Sequence, residues 1–258
     1  MIEILPSFAG FLLVFVRVTS FFLMMPLFSY RSIPNQMKIG LGFFLSIVMM
    51  NAIEIPVFEI NGEFFLLVLK EALVGIITGF LAYLILSAIQ IAGGFIDFQI
   101  GFAIANVVDP QSGTQSPLFG QFLYTFAMLL LLVTNGHHIL LDGIYHSYSF
   151  IPMDQYFLPV DNSNFPEFIL LALSKMFAVA FQMAIPVVGS IFLVDVALGI
   201  VARTVPQINI FVIGLPVKIV VAFLLLTVVI SAMFVVMTDL FELMFLVMKG
   251  IMQLLGGQ

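Results

Sequence analysis

Six stretches of this 258-residue chain, residues 7–28, 37–53, 64–92, 118–134, 168–202 and 208–247, run with few charges over lengths near or beyond twenty residues. A bilayer core about 30 Å thick is crossed by roughly 20 apolar helical residues. The chain is 62% hydrophobic and 9% charged, whereas a soluble domain is about half apolar and about a quarter charged. No water-soluble fold of this length could cover so much apolar surface. The pattern predicts an all-α polytopic membrane protein of about six long apolar helices, forming one unit over residues 1–258 without a linker. The second and fourth runs are short for a span. The last two are too long, so they must tilt, kink or protrude, with Pro186 and Pro216 as candidate kink points. The first run holds Arg17 and lacks a basic start or a small-residue cleavage site, so it reads as a retained helix rather than a signal peptide.

Charge excludes several function classes. The net charge of −6 leaves no electrostatic footprint for nucleic acid. With no cysteine there is no disulfide, thiolate nucleophile or thiolate-bound metal. Arg31 and Lys38 follow the first run, and Arg203 and Lys218 lie in the fifth connection, while the alternate loops carry Glu54, Glu59 and Glu63 or Asp142, Asp154, Asp161 and Glu167. The basic connections, together with residues 93–117, are therefore expected in the cytoplasm and the acidic ones outside; Lys249 argues against an external tail.

A charge inside an apolar helix costs about 2.5 to 3.5 kcal/mol on insertion scales, and so it usually faces protein or a wet cavity. Asp239 and Glu242, three apart, share a helix face as a proton or cation site would require, but Lys70, which adjoins Glu71, and Lys175, Asp239 and Glu242 are expected near helix ends, snorkelling or pairing with neighbours. Arg17 and Asp195 sit deeper and are expected to bond a partner helix or to line a polar channel. His138, Asp142 and His146 recur every four residues, as a metal site could use. They lie in a short stretch beside Gly136 and Gly143, and an interfacial helix with a polar outer face is the preferred reading. No base and nucleophile pair and no phosphate-cradling loop accompanies them, so neither a catalytic residue nor a cofactor is expected.

Gly75 and Gly79 form a small-xxx-small pair suited to close helix approach, and Gly93-Gly94 is expected to end the same helix. Two stretches then break the apolar pattern. Residues 95–117, FIDFQIGFAIANVVDPQSGTQSP, carry Asp97, Gln99, Gly101, Asn106 and Asp109 before a turn-rich stretch. This is either an ordinary loop or a re-entrant element closing a cavity. Residues 202–218, ARTVPQINIFVIGLPVK, hold two prolines and a glycine, which predict a bent hairpin tip rather than a continuous helix. That tip is either a simple basic turn or a grip for a partner.

The 202–218 stretch resembles the FliR family of flagellar export-gate proteins and their relatives in virulence type III secretion. The helix with Arg17, the segment SIPNQMKIGL at residues 32–41 and the segment GFAIANVVDPQSGTQSP at residues 101–117 agree with the resemblance in the expected order along nearly the whole chain. Gln207, Ile208, Asn209, Pro216 and Lys218 also resemble the smaller gate protein FliQ. The resemblance implies a FliP-like part over residues 1–166 and a FliQ-like helical hairpin over residues 167–258. It implies one such subunit joined to copies of FliP and FliQ in a closed helical assembly, with FlhB and FlhA as further partners and unfolded flagellar proteins as cargo. It places that assembly in the bacterial inner membrane, inside the flagellar basal body and partly above the bilayer, so that apolar helices pack on sister subunits as well as on lipid.

The same resemblance implies a pore plug made of Asn106, Asp109, Pro110, Gln111, Ser112, Gly113, Thr114, Gln115, Ser116 and Pro117, with Gly101 at its approach. It gives Arg203, Pro206, Gln207, Asn209, Gly214, Pro216 and Lys218 a packing role against FliQ and FlhB. It implies no catalytic residue. A methionine ring in the gate belongs mainly to FliP, so Met24, Met25, Met49 and Met50 are read as packing residues. The rival reading from residues alone is a secondary transporter, which calls for two halves with matching broken helices. No such repeat relates residues 1–130 to 131–258.

Overall fold

The computed structural model of the chain describes residues 4–28, 33–53, 55–102, 117–159, 164–207 and 209–257. Among these residues there are seven helices and no strand: α1 (Ile4–Met24), α2 (Asn35–Met50), α3 (Gly62–Ile100), α4 (Leu118–Val133), α5 (Gly136–Phe150), α6 (Asn164–Thr204) and α7 (Ile210–Gly256). Arg31, Glu54, Asp161 and the segment from Asn106 to Ser116 lie outside the described residues.

The all-helical membrane architecture is as the apolar runs predict, but the long helices number three rather than six. Among the described residues, only α3, α6 and α7 are long and apolar enough to cross a bilayer singly. With 39, 41 and 47 residues they run for about 58, 62 and 70 Å at ~1.5 Å per residue, roughly twice the thickness of a bilayer core. Helices α4 and α5 amount to a fourth span if counted together. They part at Thr134 and Asn135, where Asn135 adopts φ 58°, a left-handed conformation that asparagine tolerates better than most residues. The remaining two, α1 and α2, are shorter apolar helices.

The described helices divide into two compact units, each assembled from separated stretches. The first comprises residues 1–86, 134–173 and 241–258. Its core is the buried face of α1, formed by Leu13, Val14, Val18, Phe21 and Phe22. Glycines bring the other helices close. A β-carbon on Gly75 would stand 2.4 Å from the Arg17 carbonyl oxygen, and one on Gly79 would stand 2.8 Å from that of Phe21, so the expected close approach falls on α1. Gly42 meets Thr19 in the same way, and Phe11 meets Phe43 edge-on with centroids 5.4 Å apart. The last turns of α7 pack here through Ile251 and Leu255, with Gly256 pressed on the Phe150 carbonyl.

The second unit comprises residues 87–133 and 174–240. Gly93 faces Gly120 so closely that a β-carbon would lie 2.2 Å from the Gly120 Cα. This corrects the expected helix end at Gly93-Gly94: the glycines serve backbone contact, and α3 continues to Ile100. Ring pairs Phe95–Phe181 and Phe119–Phe223 link α3 to α6 and α4 to α7. Packing within the chain is uneven, since 56% of the best apolar window of α3 is buried but only 17% of those of α6 and α7. Phe177, Phe181, Phe192, Leu224 and Val228 are among the exposed side chains, and such a face needs lipid or another protein against it.

Candidate functional site

Both stems of the segment between residues 103 and 116 are pinned in the second unit. On the incoming side the Phe102 amide donates to the Asp97 carbonyl at 3.0 Å, and the Gly101 amide to that of Phe98 at 3.2 Å. Together with φ 103° at Gly101 this is a Schellman ending, which glycine makes possible because it has no β-carbon to resist a positive φ. On the outgoing side the Asp97 carboxylate accepts the Phe119 amide at 3.1 Å. A side chain from α3 thus caps the first turn of α4, where Pro117 has no capping side chain of its own and a negative charge suits the helix dipole. The rings of Phe102 and Phe119 stack at 6.0 Å, and Pro117 lies against Gly94. Beside them an apolar cavity of about 450 Å³ is lined by Phe102, Phe122, Phe223, Leu226 and Ile230.

Of the residues expected in a plug, Gly101 and Pro117 are therefore the two edges of this base. Asn106, Asp109, Pro110, Gln111, Ser112, Gly113, Thr114, Gln115 and Ser116 lie outside the described residues. Asp97 and Gln99, which mark the stretch as polar in the sequence but are not among the expected plug residues, belong to the base. Their only signal was polarity within an apolar helix, and the sequence does not show what they bond.

The expected non-helical tip over residues 202–218 is much shorter. Helix α6 carries Arg203 and ends at Thr204, α7 starts at Ile210, and Gly214, Pro216 and Lys218 lie inside α7. Pro206, Gln207 and Asn209 lie in the connection. Membrane helices tolerate internal proline because neighbouring groups satisfy the freed backbone. Lys218 reaches back to α6, where its ammonium lies 2.6 Å from the Asp195 carboxylate. The Gln99 amide donates to the other Asp195 oxygen at 2.9 Å, and Lys218 donates to the Gln99 carbonyl at 3.3 Å. Thus α3, α6 and α7 meet at a polar knot two residues before Gly101.

In the first unit Arg17 is fully buried and donates two hydrogen bonds to the buried Glu71 carboxylate. It also donates to Ser147 Oγ and the Ile151 carbonyl, each at 3.0 Å, and lies 4.0 Å above the centre of the Tyr148 ring. Lys70 does not snorkel. It is buried, 2.5 Å from Glu71, and donates to the carbonyls of Pro152 and Met153. Lys38 is also buried, in α2 rather than in a loop. By contrast Lys175, Asp239 and Glu242 are exposed on α6 and α7.

His138, Asp142 and His146 do share one exposed helical face, on α5. His146 stands 3.5 Å from Asp142. Among the described residues no three histidine or carboxylate side chains converge as metal ligands would.

The sequence of this chain matches the model for bacterial export proteins, family 1, over residues 8–244. It is 53% identical over 230 residues to the flagellar biosynthetic protein FliR of Bacillus subtilis (strain 168), covering 89% of each chain. The chain belongs to the FliR family of bacterial export proteins. The FliR of Escherichia coli (strain K12) is 30% identical, with 82% of this chain and 80% of that one covered. The Yop proteins translocation protein T of Yersinia pestis is 29% identical over 67% of this chain and 66% of its own. The span matched to the family includes the loop base, the polar knot and the Arg17 cluster.

Proposed function

We propose that the chain is a non-enzymatic core subunit of the flagellar type III protein export gate, forming with FliP and FliQ the pore through which unfolded flagellar proteins are exported. Family membership supports the export role, and the names of the relatives describe biosynthesis and translocation rather than a reaction. The 53% identity to the Bacillus subtilis flagellar protein, against 29% to the Yop protein, supports flagellar use. The observation that carries the pore reading is the loop base. Two helices with a backbone crossing at Gly93 and Gly120 and a cap from Asp97 hold the ends of a small, polar segment at a fixed place, as a plug requires. Residues 106–117 then seal the closed pore, and Gly101 sets the direction in which the chain leaves α3.

The barely covered faces of α6 and α7 suit packing against FliQ, with the end of their hairpin, the connection and the flanking helix turns from Arg203 to Lys218, directed to FliQ and FlhB. Two long helices joined by residues 205–209 also support a FliQ-like part over residues 167–258, after a FliP-like part over residues 1–166. FlhA is the further partner, and the inner membrane at the flagellar basal body is the site of assembly. Affinity purification from detergent tests the reading: a stable complex with FliP and FliQ is expected, and a lone monomer overturns it. Deleting Gln111 to Ser116 should make the closed gate leak ions, and unchanged membrane conductance in cells carrying the deletion would sink the plug assignment.

A further inference from the structure

We infer that Gln99, Asp195 and Lys218 form a releasable clamp that positions the C-terminal end of α3 against the α6–α7 hairpin, so that displacement of the hairpin is passed to the loop base. Its functional consequence rests on the pore reading above.

The geometry is a closed ring. Lys218 bonds Asp195 and the Gln99 carbonyl, and the Gln99 side chain bonds Asp195 in return. An ammonium with three donors can serve two acceptors at once. One of these acceptors is a carbonyl in the last turn of α3, where no intrahelical donor remains and a cation complements the helix dipole. The clamp therefore grips α3 two residues before the point where Gly101 turns the chain outward.

Exposure separates this clamp from a permanent structural pair. Arg17 and Glu71 are sealed at 0%, and parting them would strand charge in an apolar core. Lys218 and Asp195 keep 20% and 34% of their side-chain surface accessible. They open on a cavity of about 340 Å³ that reaches Gly199, Ile210 and Gly214 near the hairpin tip. Water or a partner's polar group entering there can replace each bond, so the clamp opens without leaving a buried charge unpaired.

Three variants of the purified complex test this: Lys218→Met, Gln99→Met and Lys218→Arg. In hydrogen exchange, Lys218→Met should speed exchange of the Gly101 and Phe102 amides several-fold, and Lys218→Arg should leave it near parental. Membrane conductance should rise with Lys218→Met at parental protein levels. If Lys218→Met fails to accumulate, Gln99→Met decides, since it keeps the Asp195–Lys218 pair and cuts only a tie to α3. Parental exchange at those amides in the variant that accumulates overturns the clamp. Faster exchange combined with no leak from the Gln111–Ser116 deletion upholds the clamp and rejects the pore reading instead.

Discussion

Replacing Glu71 by alanine removes the single carboxylate that serves two buried cations. Arg17 would lose both of its bonds to that carboxylate, and Lys70 its 2.5 Å contact, while both side chains stay 3% exposed or less. Arg17 keeps Ser147, the Ile151 carbonyl and the Tyr148 ring, and Lys70 keeps two carbonyls. Those groups are dipoles and a ring face and do not neutralise charge, which among the described residues leaves only the weaker attraction of Asp154 acting on Lys70. Removing one partner of a buried ion pair costs about 3–5 kcal/mol, a large share of a total stability of about 5–15 kcal/mol. At about 2–4 °C per kcal/mol for a chain of this size, the unfolding midpoint should fall by about 6–20 °C. Thermal unfolding of the detergent-purified complex, followed by loss of the monodisperse chromatographic peak, measures the fall. The companion variant Arg17→Met, Lys70→Met and Glu71→Leu, which removes every charge, should fall less than Glu71→Ala alone. A midpoint within about 2 °C of the parent for Glu71→Ala, or a triple variant that falls as far as the single one, would refute the reasoning.

Gly101→Val should cost about 1 kcal/mol or more, because a β-branched residue resists φ 103°, whereas Gly101→Asn should be milder; limited proteolysis near α3 and thermal unfolding read both. Gly93→Leu should prevent accumulation in the membrane, since its side chain would collide with the Gly120 backbone. Gly189→Ala meets nothing within 4 Å and should be neutral or stabilising by up to ~1 kcal/mol, as paired melting curves would show. Joint replacement of His138, Asp142 and His146 by alanine should change stability by no more than about 0.5 kcal/mol and leave motility intact; lost motility at normal protein level would give that face a chemical role.

Length and hydropathy locate most of this fold, because insertion into lipid imposes a condition that each helix meets by itself. The six apolar runs correspond to α1, α2, α3, α4, α6 and α7 with ends displaced by a few residues, except by eight at the end of α3 and nine at the end of α7. The close approach at Gly75 and Gly79 was legible for the same reason, as spacing along one helix. Gly93-Gly94 misled because glycine serves equally as a stop and as a contact, and only the facing Gly120 decides between them. Helix α5 has no long apolar run because its buried face includes Gly136, Ser147 and Tyr148. Partners of the isolated charges were out of reach. Arg17 finds Glu71 at a separation of 54 residues and Ser147 at 130, and Gln99 finds Asp195 at 96. For Lys70 the sequence leaves snorkelling and pairing with a neighbour both open; it pairs with Glu71, and the carbonyls of Pro152 and Met153, out of reach of sequence reasoning, complete its burial.

The alternation of the two units along the sequence bears on biosynthesis. A chain emerging from the ribosome completes the second unit at Leu240, whereas the first still lacks residues 241–258, which bury Phe241, Met244, Ile251 and Leu255. Until those last turns are made, α5 offers Phe150 and its neighbours no cover from α7. Nascent or C-terminally truncated chains should therefore present an unfinished apolar surface to insertion chaperones and membrane proteases. Docking of residues 241–258, with the last turns of α7, is thus the step that completes the first unit.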